Sequence, residues 1–319
     1  MNNLKIYTFS RGITSDRFDY IFQQKLFEHL GGKYKIEWFN FSGDDKFIYK
    51  NENDSYQFYD GSTTLFEYEN RKIKLLDFGD KPVSTLSFVK FRNFAKAGVA
   101  HYNPILWNEN EKVTSGILYE SFWEFGKTNY ESIQSYRKSI SLNPNLYWRG
   151  TIYNNTGIPR YDGCRYSIPI IKQILKDEFD FNYIKIPFDD YIIESCKYKL
   201  VLCFGGGGGY SCGDFCFRDV EMFGIGIPII RPKFNIRTTN ELIPNVHYIS
   251  VDIDDCLNAE FRIKKEYEID VANRIASTYK KYINDEDFLK YIAKNAKEWY
   301  DNNMTYPTIV NNVIKSLDL

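Results

Sequence analysis

Residues 197–234 read KYKLVLCFGGGGGYSCGDFCFRDVEMFGIGIPIIRPKF, and their pattern decides the fold class. The apolar run from Tyr198 to Phe204 predicts a buried strand, and the five glycines after it predict a loop. Asp214 to Phe223 predicts a helix, and Ile227 to Ile230 predicts a second strand that follows a Gly-x-Pro turn. Strand, loop, helix and strand in this order are typical of an α/β domain with a parallel sheet.

The glycine loop has the chemistry of an anion-binding site. Gly205 to Gly209 have no Cβ, so their backbone amides can approach a phosphate closely. The N-terminal amides and the dipole of the following helix favour negative charge in the same place. Arg218 and Glu221 lie three residues apart on that helix and therefore share a face. An arginine can bind a diphosphate through two parallel hydrogen bonds, and a carboxylate can accept both hydroxyls of a ribose.

Three other motifs fit this segment less well. A P-loop requires Gly-Lys-Ser/Thr after its glycines, but Tyr210 and Ser211 follow them here. The dinucleotide fingerprint requires glycines at i, i+2 and i+5, and no placement between Gly205 and Gly226 satisfies that spacing. Cys212 and Cys216 have the spacing of half a zinc site, but no second pair of Cys or His completes it. A plain surface loop stays open as an alternative for the glycines.

The start of the chain predicts a second α/β domain. Leu4 to Phe9, Asp16 to Leu30 and Tyr34 to Phe41 predict an opening strand, helix and strand. Short strands rich in Tyr and Phe follow between residues 47 and 80, separated by Asn-Asp and Asp-Gly turns. These turns predict an antiparallel β insertion in the N-terminal domain.

The length of the chain predicts where the domains divide. At 319 residues it exceeds the usual size of one domain. We expect one domain at residues 1–143 and another at residues 144–302, which opens with a strand at Leu146 to Trp148. A later strand is predicted at Tyr183 to Ile186. Residues 303–319 predict a C-terminal helix that packs back on the first domain.

Composition and charge indicate a globular protein and argue against some classes of function. Hydrophobic residues at 43% and charged residues at 26% are typical of a globular protein. The formal net charge of -1 argues against a protein whose affinity comes mainly from nucleic-acid phosphates. No apolar run approaches the roughly 20 residues of a membrane-spanning helix, and no secretory leader precedes the first strand. The six scattered cysteines are therefore expected to be reduced thiols, in a cytoplasmic protein.

Residues 217–230 resemble the C-terminal-domain motif of GT-B glycosyltransferases, in which a helix with Arg and Glu precedes a Gly-x-Pro turn and a hydrophobic strand. The strand and glycines before them resemble the same region of the exostosin-like and protein O-glucosyltransferase families. Tyr147-Trp148-Arg149-Gly150-Thr151, with Arg160 and Arg165, is similar to the Trp-Arg-Gly…Arg element of the latter family. Phage DNA β-glucosyltransferases have a similar order of motifs. Together the similarities span roughly residues 145–235, about a third of the chain.

The resemblance implies a GT-B fold, with two Rossmann-like domains that face a cleft. Glu221 is expected to hold the ribose of a nucleotide-sugar donor. Arg218 and one further arginine, Arg149, Arg160 or Arg165, are expected to neutralise the leaving diphosphate. The expected donor-binding set is Gly205, Gly206, Gly207, Gly208, Gly209, Tyr210, Ser211, Asp214, Arg218, Glu221, Arg149, Gly150, Arg160 and Arg165.

The implied reaction moves a hexose or pentose from a nucleotide-diphosphate sugar, with UDP-sugars favoured, to an acceptor hydroxyl. Inversion is favoured, because Gly213 stands where retaining GT-B families often carry a carboxylate, and Asp214 is one residue late. An inverting enzyme needs a general base near the acceptor, here from the N-terminal acceptor-side domain. The expected catalytic residues are Arg218, Arg149, His101 and Asp77, and further candidates for the base are Asp80, Asp44 and Asp45.

No cofactor and no essential divalent ion are expected, because cations and amides of the protein can stabilise the leaving diphosphate. The metal-binding element Asp-x-Asp of the GT-A class does occur twice in the chain. A turn is the expected role of Asp252-Ile253-Asp254, and a helix start that of Asp285-Glu286-Asp287. We therefore expect no metal ligands among them.

The acceptor stays open among glycans, proteins, lipid-linked saccharides and modified DNA. One alternative function is glycosyl transfer to hydroxymethylated DNA bases, which the order of motifs favours and the net charge of -1 disfavours. Another is a non-catalytic nucleotide- or carbohydrate-binding module of the same fold, which the lack of a motif for the base favours.

Overall fold

The structure is a computed structural model, and its described residues are 2–10, 28–42, 47–50, 55–58, 63–68, 73–77, 96–99, 113–115, 130–150, 165–184, 186–204, 212–213, 216–234, 240–259, 262–304 and 306–318. The strands within them are β1 (Asn2–Ser10), β2 (Tyr34–Ser42), β3 (Phe47–Lys50), β4 (Ser55–Phe58), β5 (Thr63–Tyr68), β6 (Ile73–Asp77), β7 (Lys96–Val99), β8 (Val113–Ser115), β9 (Asn143–Arg149), β10 (Phe179–Asn182), β11 (Tyr198–Leu202), β12 (Ile229–Pro232) and β13 (Ile249–Val251). The helices are α1 (Tyr130–Ser139), α2 (Ser167–Leu175), α3 (Phe188–Ser195), α4 (Phe217–Ile225), α5 (Glu268–Tyr282), α6 (Glu286–Asn303) and α7 (Tyr306–Leu317). Short 3-10 helices lie at Lys176–Glu178, Asp254–Cys256 and Lys265–Tyr267.

The chain divides into two compact units. Unit 1 comprises residues 1–120, 236–240 and 305–319, and unit 2 comprises residues 121–235 and 241–304. The division falls after residue 120 rather than after residue 143, because α1 packs against α4 and groups with unit 2. Helix α7 contacts β7 and groups with unit 1.

Unit 1 contains a six-stranded mixed sheet in the order β2-β1-β5-β6-β7-β8. Strands β1 and β2 are parallel, as the opening strand, helix and strand pattern predicts. Strand β5 is antiparallel to both β1 and β6 and so lies inside this sheet, while β3 and β4 form a separate antiparallel pair. The region predicted as an insertion is therefore partly a component of the main sheet.

Unit 2 contains a five-stranded parallel sheet in the order β10-β9-β11-β12-β13. Leu146, Leu200 and Ile230 contribute to a core shared with α2 and α5. The alternate residues Tyr147 and Val201 are buried as well. A parallel sheet buried on both faces has near-continuous apolar strands, which is why the apolar run before the glycines predicts a strand correctly.

The strand order of unit 2 contains a topological switch point. The chain goes outward from β9 to β10 on one side, and then from β11 through β12 to β13 on the other side. Strands β9 and β11 are neighbours in the sheet, so their connections leave in opposite directions. In open parallel sheets, ligands bind outside the carboxyl ends of the strands at such a point. The fold therefore indicates a binding site beyond Arg149 and Leu202.

Two element boundaries differ from the predictions. The strand predicted at Tyr183–Ile186 lies instead at Phe179–Asn182, because Phe179 is fully buried whereas Tyr183 and Ile184 are 56% and 62% exposed. Helix α4 starts at Phe217, three residues later than predicted. Its start is fixed by a capping bond in which the backbone amide of Cys216 donates to the Asp219 carboxylate at 2.9 Å.

The prediction that all cysteines are reduced is wrong, because Cys212 is disulfide-bonded. Composition cannot reveal which sulfur atoms the fold brings together. Cys196, Cys203, Cys216 and Cys256 have free thiols. Among the described residues, every helix is too short or too polar to cross a membrane.

Candidate functional site

The switch point of unit 2 brings together three chain segments. Strand β9 ends at Arg149 and is followed by Gly150, while β11 ends at Leu202. Helix α4 follows the glycine segment and carries Arg218 in its first turn. The positive end of its dipole therefore lies close to the ends of both strands, because Arg218 contacts the backbone of Arg149.

Arg218 is held by neutral groups. Its Nε donates to the hydroxyl of Tyr191 at 3.0 Å, and its Nη2 donates to the carbonyl of Arg149. The guanidinium also lies 5.6 Å from the ring centroid of Trp148 and 5.9 Å from that of Tyr191, which are cation–π distances. Within the described part of the chain, Arg218 has no carboxylate partner at ion-pair distance. Its positive charge is therefore available to a ligand.

Glu221 is a further ionisable residue on α4, one turn after Arg218. The residue is only 4% exposed, and no described residue donates a hydrogen bond to its carboxylate. Burial raises its pKa to about 8, although the charge of Arg218 opposes the shift. A buried carboxylate that lacks a hydrogen-bond donor is costly. A ligand with hydroxyl groups would remove that cost.

Arg149, in contrast, is fully paired. Its Nη2 lies 2.8 Å from one carboxylate oxygen of Glu194 and 2.9 Å from the other. Its Nη1 donates to the carbonyl of Ile184 at 2.6 Å, and its Nε donates to the hydroxyl of Tyr147 at 3.2 Å. The structure thus brings Arg149 into contact with Arg218 but couples its charge to Glu194.

Gly150 permits the close packing of this site. A Cβ added there would lie 2.7 Å from Cζ2 of Trp148 and 3.2 Å from Nη2 of Arg218. The indole is fully buried, so its ring has little room to move. Its Nε1 has no hydrogen-bond partner among the described residues. The glycine of the Trp-Arg-Gly element is therefore required by the space between a tryptophan and an arginine.

A buried ion pair anchors α4 below these groups. Arg231, at the end of β12, donates through Nη1 to Asp219 in the first turn of α4. Asp219 also accepts the capping bond from the Cys216 amide. The Arg231 guanidinium lies 3.3 Å from the ring centroid of Phe234. This pair holds the helix start, and with it Arg218 and Glu221, against the sheet.

The predicted site residues fall into four groups. Arg149, Gly150, Arg218 and Glu221 lie together at the switch point, whereas Arg165 is buried directly before α2. Asp77 ends β6 in unit 1, where only its backbone is described. The predicted residues outside the described part of the chain are Gly205, Gly206, Gly207, Gly208, Gly209, Tyr210, Ser211, Asp214, Arg160, His101, Asp80, Asp44 and Asp45.

Sequence reasoning missed the contributions of α3 and β12. Tyr191 and Glu194 bind the two arginines of the site, and Arg231 binds Asp219. No motif marks any of these three residues. The one available signal is the spacing of Tyr191 and Glu194, which places them on the same face of a helix.

The first carboxylate of each Asp-x-Asp element has a structural role. Asp252 accepts the backbone amide of Asp254 at 3.2 Å and so forms a turn. Asp285 caps α6 by accepting the amide of Phe288 at 3.1 Å, which confirms the predicted helix start.

A different cluster of possible metal ligands, Asp255, Cys256 and Asp270, lies nearby in the chain. Arg274 donates to both of its carboxylates at 2.7 Å, and these bonds lower the pKa of Asp255 to about 2. Arg274 thus already binds oxygens of both carboxylates, and a metal ion would have to displace it.

No protein-family model and no curated protein sequence matches this chain. Among solved structures, it is similar to Alr3699/HepE of Anabaena in complex with UDP and glucose, at 11% identity, 71% coverage of this chain and a TM-score of 0.44. It spans 64% of the length of that structure. It is also similar to a putative UDP-N-acetylglucosamine 2-epimerase from Listeria monocytogenes, at 8% identity, coverage of 77% and 66% of the two chains, and a TM-score of 0.35. It is similar as well to UGT89C1 of Arabidopsis thaliana complexed with UDP, at 10% identity, coverage of 76% of this chain and 67% of that chain, and a TM-score of 0.34. Similarity this low transfers neither a ligand nor an activity.

Proposed function

We propose that unit 2 binds a nucleoside-diphosphate sugar at the carboxyl ends of β9 and β11, and that the protein transfers the sugar to an acceptor hydroxyl. The observation that carries this proposal is the pair of side chains Arg218 and Glu221, which lie one turn apart on α4. Arg218 has no carboxylate partner and Glu221 has no hydrogen-bond donor among the described residues. A nucleoside diphosphate supplies an anion for the first and ribose hydroxyls for the second.

The roles follow from the chemistry of each group. Departure of a nucleoside diphosphate builds negative charge, which the Arg218 guanidinium and the N-terminal amides of α4 stabilise without a metal ion. Glu221 accepts the ribose hydroxyls and so fixes the position of the donor. Binding the donor in this way orients its anomeric carbon for attack by the acceptor. In this proposal the transfer inverts the anomeric centre.

Nucleotide binding is the first test. Thermal unfolding of the full chain is followed with UDP, GDP, CDP and ADP in the presence of EDTA, because a ligand of the native state raises Tm. We expect one nucleotide to raise Tm selectively, with UDP the first candidate. Absence of saturable binding to every nucleoside diphosphate would overturn the proposal.

Two variants locate the binding to α4. At pH 9, where Glu221 is ionised, Glu221→Ala is expected to weaken nucleotide binding at least tenfold while the protein stays folded, since a hydrogen bond to a charged group contributes about 1.5–3 kcal/mol. Glu241→Ala, at an exposed glutamate of unit 2, is the matched control and is expected to bind as the wild type does. If Glu221→Ala unfolds the protein, Glu221 is a structural residue.

Transfer is tested separately from binding. Release of free sugar from the matching nucleotide sugar, or its incorporation into an added acceptor, indicates catalysis. Binding without either reaction would leave a non-catalytic nucleotide-binding module.

A further inference from the structure

Helix α3 holds both arginines of the site, each through a different kind of group. Tyr191 and Glu194 lie three residues apart on α3 and share a face. Tyr191 contacts Arg218, and Glu194 contacts Arg149. The first partner is a neutral hydroxyl and the second a carboxylate. The same helix face therefore leaves the charge of Arg218 in place and neutralises the charge of Arg149.

The Tyr191 contact fixes the direction of Arg218 without cancelling its charge. The hydroxyl accepts the Nε–H at 3.0 Å, and the carbonyl of Arg149 accepts one Nη2–H. Burial raises the pKa of Tyr191, although Arg218 acts against this shift, so the hydroxyl remains neutral at every physiological pH. The rings of Tyr191 and Trp148 add cation–π contacts that also leave the charge in place. Among the described residues no acceptor binds the Nη1 group of Arg218, so its donors can bind a ligand.

The Glu194 contact has the opposite effect on Arg149. Both oxygens of the carboxylate lie within 2.9 Å of Nη2. The Arg149 side chain is 10% exposed, and its remaining nitrogens donate to Ile184 and Tyr147. A diphosphate that binds Arg149 must therefore displace a carboxylate and break two further bonds. Arg149 is poorly suited to bind an anion in this arrangement.

We infer that α3 is the positioning element of the site: Tyr191 orients Arg218 as the residue that binds the diphosphate, and Glu194 removes Arg149 from that role. This inference rests on the proposed function, because it names the residue that binds the donor phosphates. It differs from the expectation that Arg149 and Arg218 act together. Tyr191 and Glu194 are positioning residues, since both act through an arginine.

The test measures binding of inorganic pyrophosphate and of the best-bound nucleoside diphosphate to the full chain by titration calorimetry, with EDTA present. We expect Arg218→Met to weaken binding about 10- to 100-fold, the range for a lost hydrogen bond to a charged group. Tyr191→Phe keeps the ring but removes the hydroxyl, and is expected to weaken binding about fivefold, less than Arg218→Met does, because the cation remains. In the double variant Arg149→Met with Glu194→Gln, no net charge is lost, and we expect affinity within about twofold of the wild type.

Two further readouts separate positioning from general loss of structure. The slope of log affinity against log salt is expected to fall in Arg218→Met but to stay unchanged in Tyr191→Phe, where the cation remains. Hydrogen exchange of the Arg218 Nε–H, followed by ¹⁵N NMR, is expected to be slow in the wild type and faster in Tyr191→Phe. Thermal unfolding of each variant checks that the fold persists.

The outcomes distinguish this inference from the proposed function. If the wild type binds a nucleotide but the double variant loses as much affinity as Arg218→Met, Arg149 binds the diphosphate and the inference is wrong. Equal affinity of Tyr191→Phe and the wild type would also overturn the role of Tyr191. If the wild type binds neither pyrophosphate nor any nucleoside diphosphate, the proposed function itself fails.

Discussion

Asp219 and Arg231 form an ion pair in which the two side chains are 0% and 1% exposed. Asp219 lies between Arg218 and Val220 in the first turn of α4, and Arg231 lies at the end of β12. The pair therefore links the helix that carries the candidate ligand-binding charges to the neighbouring parallel strand. Charged groups are almost never fully buried unless they are paired. Its placement directly beneath the site indicates a role in fixing the position of α4.

Arg231→Met is expected to lower the free energy of unfolding by about 3–5 kcal/mol, because it leaves the Asp219 carboxylate buried without a counter-charge. The double variant Asp219→Asn with Arg231→Met leaves no charge buried and is expected to recover part of that loss. Urea unfolding of both variants provides the measurement. Equal stability of the single and double variants would mean that the packing of Arg231 matters more than its charge.

Gly150→Ala tests the packing between the tryptophan and the arginine. The new Cβ would lie 2.7 Å from Cζ2 of the buried Trp148 ring, so the ring or the backbone must shift. We expect a loss of about 1–3 kcal/mol in urea unfolding, the usual cost of overpacking. Gly31→Ala is a suitable control, because a Cβ there meets no atom within 4 Å. A loss of the same size in both variants would point to backbone effects instead.

The sequence was sufficient for elements that depend on local periodicity. The strand before the glycines and the helix that carries Arg218 and Glu221 follow from apolar spacing and helix-start signals. Strand β10 was predicted about four residues too late, because Tyr183 and Ile184 are apolar by type but exposed. Exposure of that kind depends on tertiary packing, which a single sequence does not encode locally.

The contacts of Arg218 and Arg149 could not be predicted from the sequence, for a different reason. Arg218 contacts the carbonyl of Arg149, 69 residues away in the chain, and Arg149 pairs with Glu194, 45 residues away. These pairings depend on the strand order, in which β11 lies next to β9 rather than next to β10. Periodicity predicts strands but not their order. The motif resemblance placed both arginines near a diphosphate, yet it carried no information on the carboxylate beside one of them.

Glu221 is expected to make stability depend on pH. Its pKa is raised to about 8 in the folded chain, above the ordinary value of 4.5 that applies when unfolded. Between these values the unfolded chain releases the proton first, so stability is full below about pH 4.5 and falls as the pH rises toward 8. We expect the free energy of unfolding of Glu221→Gln, relative to that of the wild type, to rise by about 1.4 kcal/mol per pH unit inside this window. Urea unfolding at pH 5, 6 and 7 measures the difference, and a constant difference would contradict the raised pKa.

Nucleotide affinity is expected to rise with pH for the same reason. Ribose hydroxyls donate to the ionised carboxylate, so binding favours the deprotonated form of Glu221, whose pKa in the empty site is about 8. Between pH 7 and pH 9 the dissociation constant of the wild type should therefore fall about tenfold. The second pKa of a phosphate group is about 6, so the ligand itself stays ionised across this range. Calorimetric titrations of the wild type and of Glu221→Gln make the comparison, and the variant is expected to show no such rise. An equal rise in both proteins would assign the titration to another group and remove Glu221 from the ribose site.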